Sequence, residues 1–212
     1  MITVTLIDKT IIKYNTFEEI ANYWKHQIIK LNCSNNNLTF LPDSIGNLIN
    51  LQKLCCEFNK LSSLPESICN LINLKYLYCQ YNQIKELPES IGNLINLKEL
   101  YCGHNKLTSL PESIGNLINL NILYCDHNKL TSLPESIGNL INLNCISCVN
   151  NQIKELPETI INLKNIHHFF KDELTLTSSQ QERYFKWIKS GESYPFDEYV
   201  DTTLVKCAYF GV

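Results

Sequence analysis

A cysteine returns every 23 residues through the middle of this chain, at Cys33, Cys56, Cys79, Cys102, Cys125 and Cys148. An asparagine stands three residues behind each, at Asn36, Asn59, Asn82, Asn105, Asn128 and Asn151. A fixed period of this length builds a solenoid, because one unit cannot bury its own apolar face and must stack against its neighbours. The stacked units share one elongated core, so the 212 residues do not divide into separate globular domains. Solenoids present a long continuous surface, which makes binding the first functional expectation.

The unit from Leu97 to Asn119, LKELYCGHNKLTSLPESIGNLIN, shows the plan. Apolar and variable residues alternate around Leu100 and Cys102, the period-two pattern of a short half-buried strand. Leu100 and Cys102 then point inward, and Glu99, Tyr101 and Gly103 outward. Cysteine suits the inward place because it is small, apolar and tolerant of burial. Asn105 falls where the chain leaves the strand. A buried amide there can donate to and accept from the backbone of adjacent turns, forming a ladder along the stack. Each backbone group left unpaired would cost about 1–3 kcal/mol.

The second half of the unit, Leu110-Pro-Glu-Ser-Ile-Gly-Asn-Leu117, carries the chain back across the far side. Pro111 fixes φ and starts a short helical or turn-like segment. Ile114 and Leu117 return to the core. Gly115 is expected to be tolerated because the segment need not be a long helix. Its place is taken once by Cys69 and in the last unit by Ile161.

The pattern LxxLxCxxNxLxxLPxSIGNLxN, over about residues 28 to 165, resembles the 23-residue leucine-rich repeat, with Cys in place of the usual third Leu. Its LPxSIGNLxN segment is similar to that of intracellular Ras-binding leucine-rich repeat proteins. The Asn- and Ile-rich, Cys-bearing version is similar to leucine-rich repeat proteins of giant amoeba-infecting viruses. The resemblance implies an α/β solenoid, a curved horseshoe with a parallel β-sheet on its concave face and short helical or turn segments on its convex side. Such proteins serve mainly to bind other proteins.

Both ends leave the pattern and are expected to cap the stack, which a solenoid requires. Over residues 1–27, Ile2 to Ile7 and Thr10 to Tyr14 read as two strands joined at Asp8-Lys9. Thr16 to Glu19 has capping-box spacing, and Phe17, Ile20, Ala21 and Trp24 form one apolar helix face. Over residues 166–212, Ile166 to Phe169 could begin a degenerate seventh strand. A helix is expected from Thr177 or Ser178 to Ser190, ended by Gly191, with a β-prone tail from Thr202 to Phe210.

The formal net charge is −3, with no run of Lys or Arg, which argues against nucleic-acid binding and against a membrane-surface role. The first residues lack the marks of a signal peptide, and no apolar stretch is long enough to span a bilayer. A cytoplasmic location follows as the expectation (host cytoplasm if the chain is viral), with the cysteines as reduced thiols.

Positions identical in every repeat are explained by packing, so the informative ones face outward and vary. The middle outward column reads Asn32, Cys55, Tyr78, Tyr101, Tyr124, Ser147. Beside it runs Asn35, Phe58, Tyr81, His104, His127, Asn150, and a third column reads Lys30, Lys53, Tyr76, Glu99, Ile122, Cys145. Aromatic centres with more polar ends are typical of binding hot spots. The expected protein-binding face comprises Phe58, Tyr76, Tyr78, Tyr81, Glu99, Tyr101, His104, Tyr124, Asp126 and His127. Glu57, Glu99 and Asp126 keep it from being basic, which disfavours a phosphate-rich ligand.

No catalytic, cofactor or metal site is expected. His104 and His127, with Asp126 beside the second, match no compact zinc motif, and Cys55 and Cys145 lie far from them in repeat order. Cys55 is the best outward thiol, but no histidine shares its repeat to activate it. The reading is a non-catalytic module that holds a protein partner, a host protein if the chain is viral. The alternatives are a regulatory adaptor, related to a ubiquitin ligase or small GTPase, that uses a terminal segment for a second partner, and last a metal-dependent enzyme or sensor.

Overall fold

A computed structural model describes residues 1–23 and 27–170, together with residues 177, 178 and 182. Each repeat contributes one short strand: β3 (Ile28–Asn32), β4 (Lys53–Cys55), β5 (Tyr76–Tyr78), β6 (Glu99–Tyr101), β7 (Ile122–Tyr124) and β8 (Cys145–Ser147). A seventh strand follows, β9 (His168–Phe170), in the place where the sequence offered only a degenerate start. These strands pair in parallel with an unbroken register, Leu31, Leu54, Leu77, Leu100, Leu123, Ile146 and Phe169 lying side by side. The sheet is open, and it is the concave face of the expected solenoid.

Two further strands, β1 (Ile2–Leu6) and β2 (Ile11–Tyr14), form an antiparallel hairpin whose first strand pairs antiparallel with β3. The hairpin thus covers the edge that the parallel array would otherwise leave open. Ile2, Val4 and Leu6 are buried on the core side, continuous with Ile20 of helix α1 (Phe17–Tyr23). Glu19 accepts from the backbone N–H of Asn15 at 3.1 Å, one residue before the Thr16 expected from capping-box spacing. Of the apolar helix face, Trp24 lies outside the described residues and the side chain of Ala21 is not described. The C-terminal helix and tail likewise lie outside them, apart from Ser178 and Glu182, which are helical.

On the convex side each repeat returns through a 3-10 segment, such as Glu112–Asn116, that begins directly after a proline in all but one case. Ile114 N–H donates to the Pro111 carbonyl at 3.0 Å and Leu117 N–H to the Ile114 carbonyl at 3.0 Å. Ile114 and Leu117 are fully buried, as their spacing required. The glycine is not merely tolerated there. A Cβ on Gly115 would stand 2.5 Å from Ser136 Cβ and 2.6 Å from the Ser136 carbonyl oxygen, so the next turn stacks directly on its bare backbone. After Cys69, which does carry a Cβ, the following 3-10 segment is cut to Ile91–Asn93, whereas the others span five residues. Ile161 closes the series of segments, and its side chain is exposed.

Two asparagine ladders fasten the stack. In the expected one, Asn105 Oδ1 accepts from Ile84 N–H at 3.0 Å while Nδ2 faces the carbonyls of Cys79, Cys102 and Gly103 at 3.0, 3.2 and 3.1 Å. Asn59, Asn82, Asn128 and Asn151 repeat this geometry. Asn36, at the first repeat, instead meets the terminal ammonium of Met1 and the Ser34 carbonyl. The second ladder runs at the other end of the repeat and was not read from the sequence. There Asn73, Asn96, Asn119, Asn142 and Asn165 each donate to the isoleucine carbonyl 24 residues earlier, at 2.8–2.9 Å.

The inward cysteines form a third series. The thiols of Cys33, Cys56, Cys79 and Cys125 approach the carbonyl of the next strand at 3.3–3.4 Å, a weak donor contact that lets sulfur sit against backbone. Burial pushes the Cys79 thiol up to about 12 and those of Cys102 and Cys125 well above their ordinary value. These sulfurs are core and not reagents.

Candidate functional site

The concave surface carries two columns of stacked rings. Tyr78, Tyr101 and Tyr124 follow one another at ring separations of 4.7 and 4.8 Å, set by the strand spacing. They lean toward the next repeat: Tyr78 donates its phenol O–H to Glu99 Oε2 at 2.6 Å, and Tyr124 Oη meets Cys145 Sγ at 3.7 Å. Lys53 Nζ lies 4.5 Å from the centre of the Tyr78 ring and 5.9 Å from that of Tyr76, so a cation already rests on the aromatic surface.

The second column is closer packed. Phe58, Tyr81, His104 and His127 stack at 4.5, 4.1 and 3.9 Å with planes within 13° of parallel. All four have positive φ, between 50° and 55°. That left-handed region admits Asn readily, but a bulky side chain there is an outlier. Asn35 and Asn150 hold the same position at the two ends of the array, with φ of 55° and 54°. The central repeats therefore place rings where the backbone is better served by asparagine.

All ten expected face residues lie on this surface, but not equally. Phe58, Tyr76, Tyr81, Glu99, Tyr101, His104, Tyr124 and His127 are partly exposed, whereas Tyr78 and Asp126 are nearly covered. Three outward expectations are corrected. Cys55 and Cys145 are buried, and Tyr124 reaches over Cys145 with its Oη 3.7 Å from Sγ. Burial also pushes the Cys145 thiol up to about 11, which removes it as a nucleophile candidate. Glu57 was expected to lend negative charge to the groove, yet it is only 1% exposed and neither carboxylate oxygen has a hydrogen-bond partner. Burial raises its pKa to about 7, opposed only in part by its own backbone and by the charges of Lys53 and Lys30.

His104, Asp126 and His127, adjacent in repeat order, come together in space. Asp126 Oδ2 lies 2.9 Å from His127 Nδ1 and 3.7 Å from His104 Nε2. Asn150 Nδ2 is 2.9 Å from His127 Nε2. If that amide donates, Nε2 is the acceptor and Nδ1 carries the hydrogen donated to Asp126. Burial and the neighbouring His127 lower the His104 pKa against the opposing pull of Asp126. No helix among the described residues is long and apolar enough to cross a membrane.

The sequence matches the family model described as leucine-rich repeat region over residues 18–100 and 66–131. Among solved structures, a leucine-rich repeat protein of Leptospira interrogans is 34% identical, with a TM-score of 0.56, over 68% of this chain and 43% of its own. The functional domain of InlJ from Listeria monocytogenes, which includes a cysteine ladder, is 26% identical with a TM-score of 0.61, over 69% of this chain and 30% of that one. Internalin C2 from Listeria monocytogenes shares the fold at 24% identity and a TM-score of 0.62, over 71% of this chain and 64% of that one. The chain spans less than two thirds of the length of each. No curated protein matches it.

Proposed function

The chain belongs to the leucine-rich repeat family, and from that premise we propose that it is a non-catalytic module whose concave aromatic face holds a protein partner. The observation that carries this reading is the ring column at positive φ. Left-handed backbone under Phe58 and Tyr81 costs of order 1 kcal/mol each relative to a residue suited to it, and Asn35 and Asn150 occupy the same position in this very chain. Strain of this kind persists where something other than folding uses the side chain. Tyr101 and Tyr124 beside it, partly exposed, supply amphipathic contact area with few rotatable bonds, the usual composition of an interface centre.

Partner chemistry follows from the lining. Glu99 and Asp126 bring acid, Lys53 is drawn onto Tyr78, and the rings offer faces to apolar and cationic side chains. The reading is of a polypeptide with aromatic, aliphatic or basic side chains, and it disfavours an acidic or phosphate-rich one. The inward thiols of Cys33, Cys56, Cys79 and Cys125 abut backbone carbonyls, and the proposed setting for the module is a reducing compartment such as the cytoplasm.

Capture from cytosol in reducing buffer tests the proposal. A Tyr78→Ala, Tyr101→Ala, Tyr124→Ala variant with an intact circular-dichroism spectrum should lose a protein that the wild type retains. Equal retention by both would remove the concave face from consideration.

A further inference from the structure

Gly103 opens a space on the concave face that the other repeats fill. Its column reads Ser34, Glu57, Gln80, Gly103, Asp126, Val149, and the Asp126 carboxylate leans back over the bare backbone. A Cβ on Gly103 would lie 2.8 Å from Asp126 Oδ1. The two imidazoles stand beside it on consecutive repeats, stacked at 3.9 Å. Each turns a nitrogen toward the same carboxylate oxygen, His127 Nδ1 at 2.9 Å and His104 Nε2 at 3.7 Å. One donor atom from each of the three residues can be chosen so that all lie within 4.8 Å of one another.

We propose that His104, Asp126 and His127 form a binding site for a divalent transition-metal ion of the zinc class. Two imidazoles and one carboxylate suit a borderline ion, whereas magnesium and calcium demand mostly oxygen ligands. Ligand atoms about 2.1 Å from a tetrahedral ion stand roughly 3.4 Å apart. The observed 2.9 and 3.7 Å fall on either side of that spacing, and the two rings, stacked at 3.9 Å with planes 13° apart, splay open on binding so that each in-plane lone pair aims at the ion. The side chains are 28%, 12% and 38% exposed in the order His104, Asp126, His127. An ion therefore enters from solvent and keeps its remaining coordination positions on the open side of the groove.

Asn150 completes the arrangement as an outer partner, 2.9 Å from His127 Nε2. When the ion takes Nδ1, the ring hydrogen moves to Nε2, and rotation of the Asn150 amide presents Oδ1 to accept it. A ligating histidine whose other nitrogen is held in this way keeps its ring orientation and gains basicity. The buried sulfurs of Cys102 and Cys125 belong to the inward side of the sheet and do not enter the donor set.

The test uses the full chain, free of any affinity tag and kept reduced with a phosphine, titrated with zinc and cobalt(II). Wild type should bind one ion per chain, and the cobalt form should show visible d–d bands without a sulfur-to-cobalt charge-transfer band. His104→Asn and His127→Asn should each weaken zinc binding at least tenfold, a ΔΔG of about 1.4 kcal/mol. Asparagine is already the residue at this backbone position in Asn35 and Asn150, so both variants retain the fold, which circular dichroism checks. Unchanged affinity in both variants, binding only at millimolar ion, or a thiolate charge-transfer band that survives in His127→Asn would each overturn the assignment.

Discussion

The side-chain amide of Asn105 reaches the carbonyl oxygen of Cys79, 26 residues earlier, at 3.0 Å, while its oxygen accepts from Ile84 N–H at 3.0 Å. One residue thus ties the repeat of Cys79 and Ile84 to its own. Asn105→Leu orphans the buried Ile84 N–H, whereas the carbonyls of Cys79, Cys102 and Gly103 keep Asn82 Nδ2, Asn128 Nδ2 and Tyr81 N–H as donors. At about 1–3 kcal/mol for one orphaned buried group, the variant should lose about 1–3 kcal/mol in urea unfolding. A loss under 1 kcal/mol would show that the ladder is ornamental to stability.

Gly115→Ala should destabilise, against the usual rule that alanine improves a helical position. The added methyl would meet Ser136 Cβ at 2.5 Å and its carbonyl at 2.6 Å. Overpacking of this kind costs about 1–3 kcal/mol. Thermal unfolding reads the sign directly, and a rise in Tm would contradict the account of why the turns stack so closely.

Glu57 makes the fold sensitive to pH. Its folded pKa of about 7 lies above the ordinary 4.5, so between these values the native state holds a proton that the unfolded chain releases. Stability therefore falls as pH rises through that window and levels off above it, by at most about 3 kcal/mol. Glu57→Gln should be more stable than wild type at pH 8 and close to it at pH 4.5. Parallel denaturation curves at the two pH values check this, and an equal difference at both would remove Glu57 as the cause.

The nine cysteines of the described residues are all buried. Labelling of native protein with N-ethylmaleimide, followed by peptide mass spectrometry, should leave Cys55, Cys102, Cys125 and Cys145 unmodified until denaturant is added. Prompt native-state labelling of Cys55 or Cys145 would contradict their placement beneath the neighbouring side chains.

The architecture was legible because period and residue type agree in every repeat. Leu100 and Cys102 had to face inward, Asn105 had to find backbone partners, and Pro111 had to start a turn. Other features were hidden by that same regularity. Asn119 is as constant as its neighbours, so nothing distinguished its bond to the Ile95 carbonyl from simple duplication. The depth of Cys55 and Glu57 depends on how side chains of neighbouring columns lean, which alternation does not encode. The left-handed backbone under Phe58 and Tyr81 had one signal in the sequence. Asn35 and Asn150 end that column, and asparagine is the residue such backbone favours. The approach of Asp126 to His104 needed Gly103, whose open flank appears only once the strands are in register.

The central claim is that the rings on the concave face serve binding and not folding. A Phe58→Asn, Tyr81→Asn variant tests it by one protein and two readouts, urea unfolding and retention of the partner captured by the wild type. Losing stacked contacts worth about 0.5–1.5 kcal/mol each is offset by relief of the strained backbone, of order 1 kcal/mol per residue. The account predicts stability within about 1 kcal/mol of wild type together with loss of the partner. A large loss of stability with the partner still retained would contradict it and make the column part of the core.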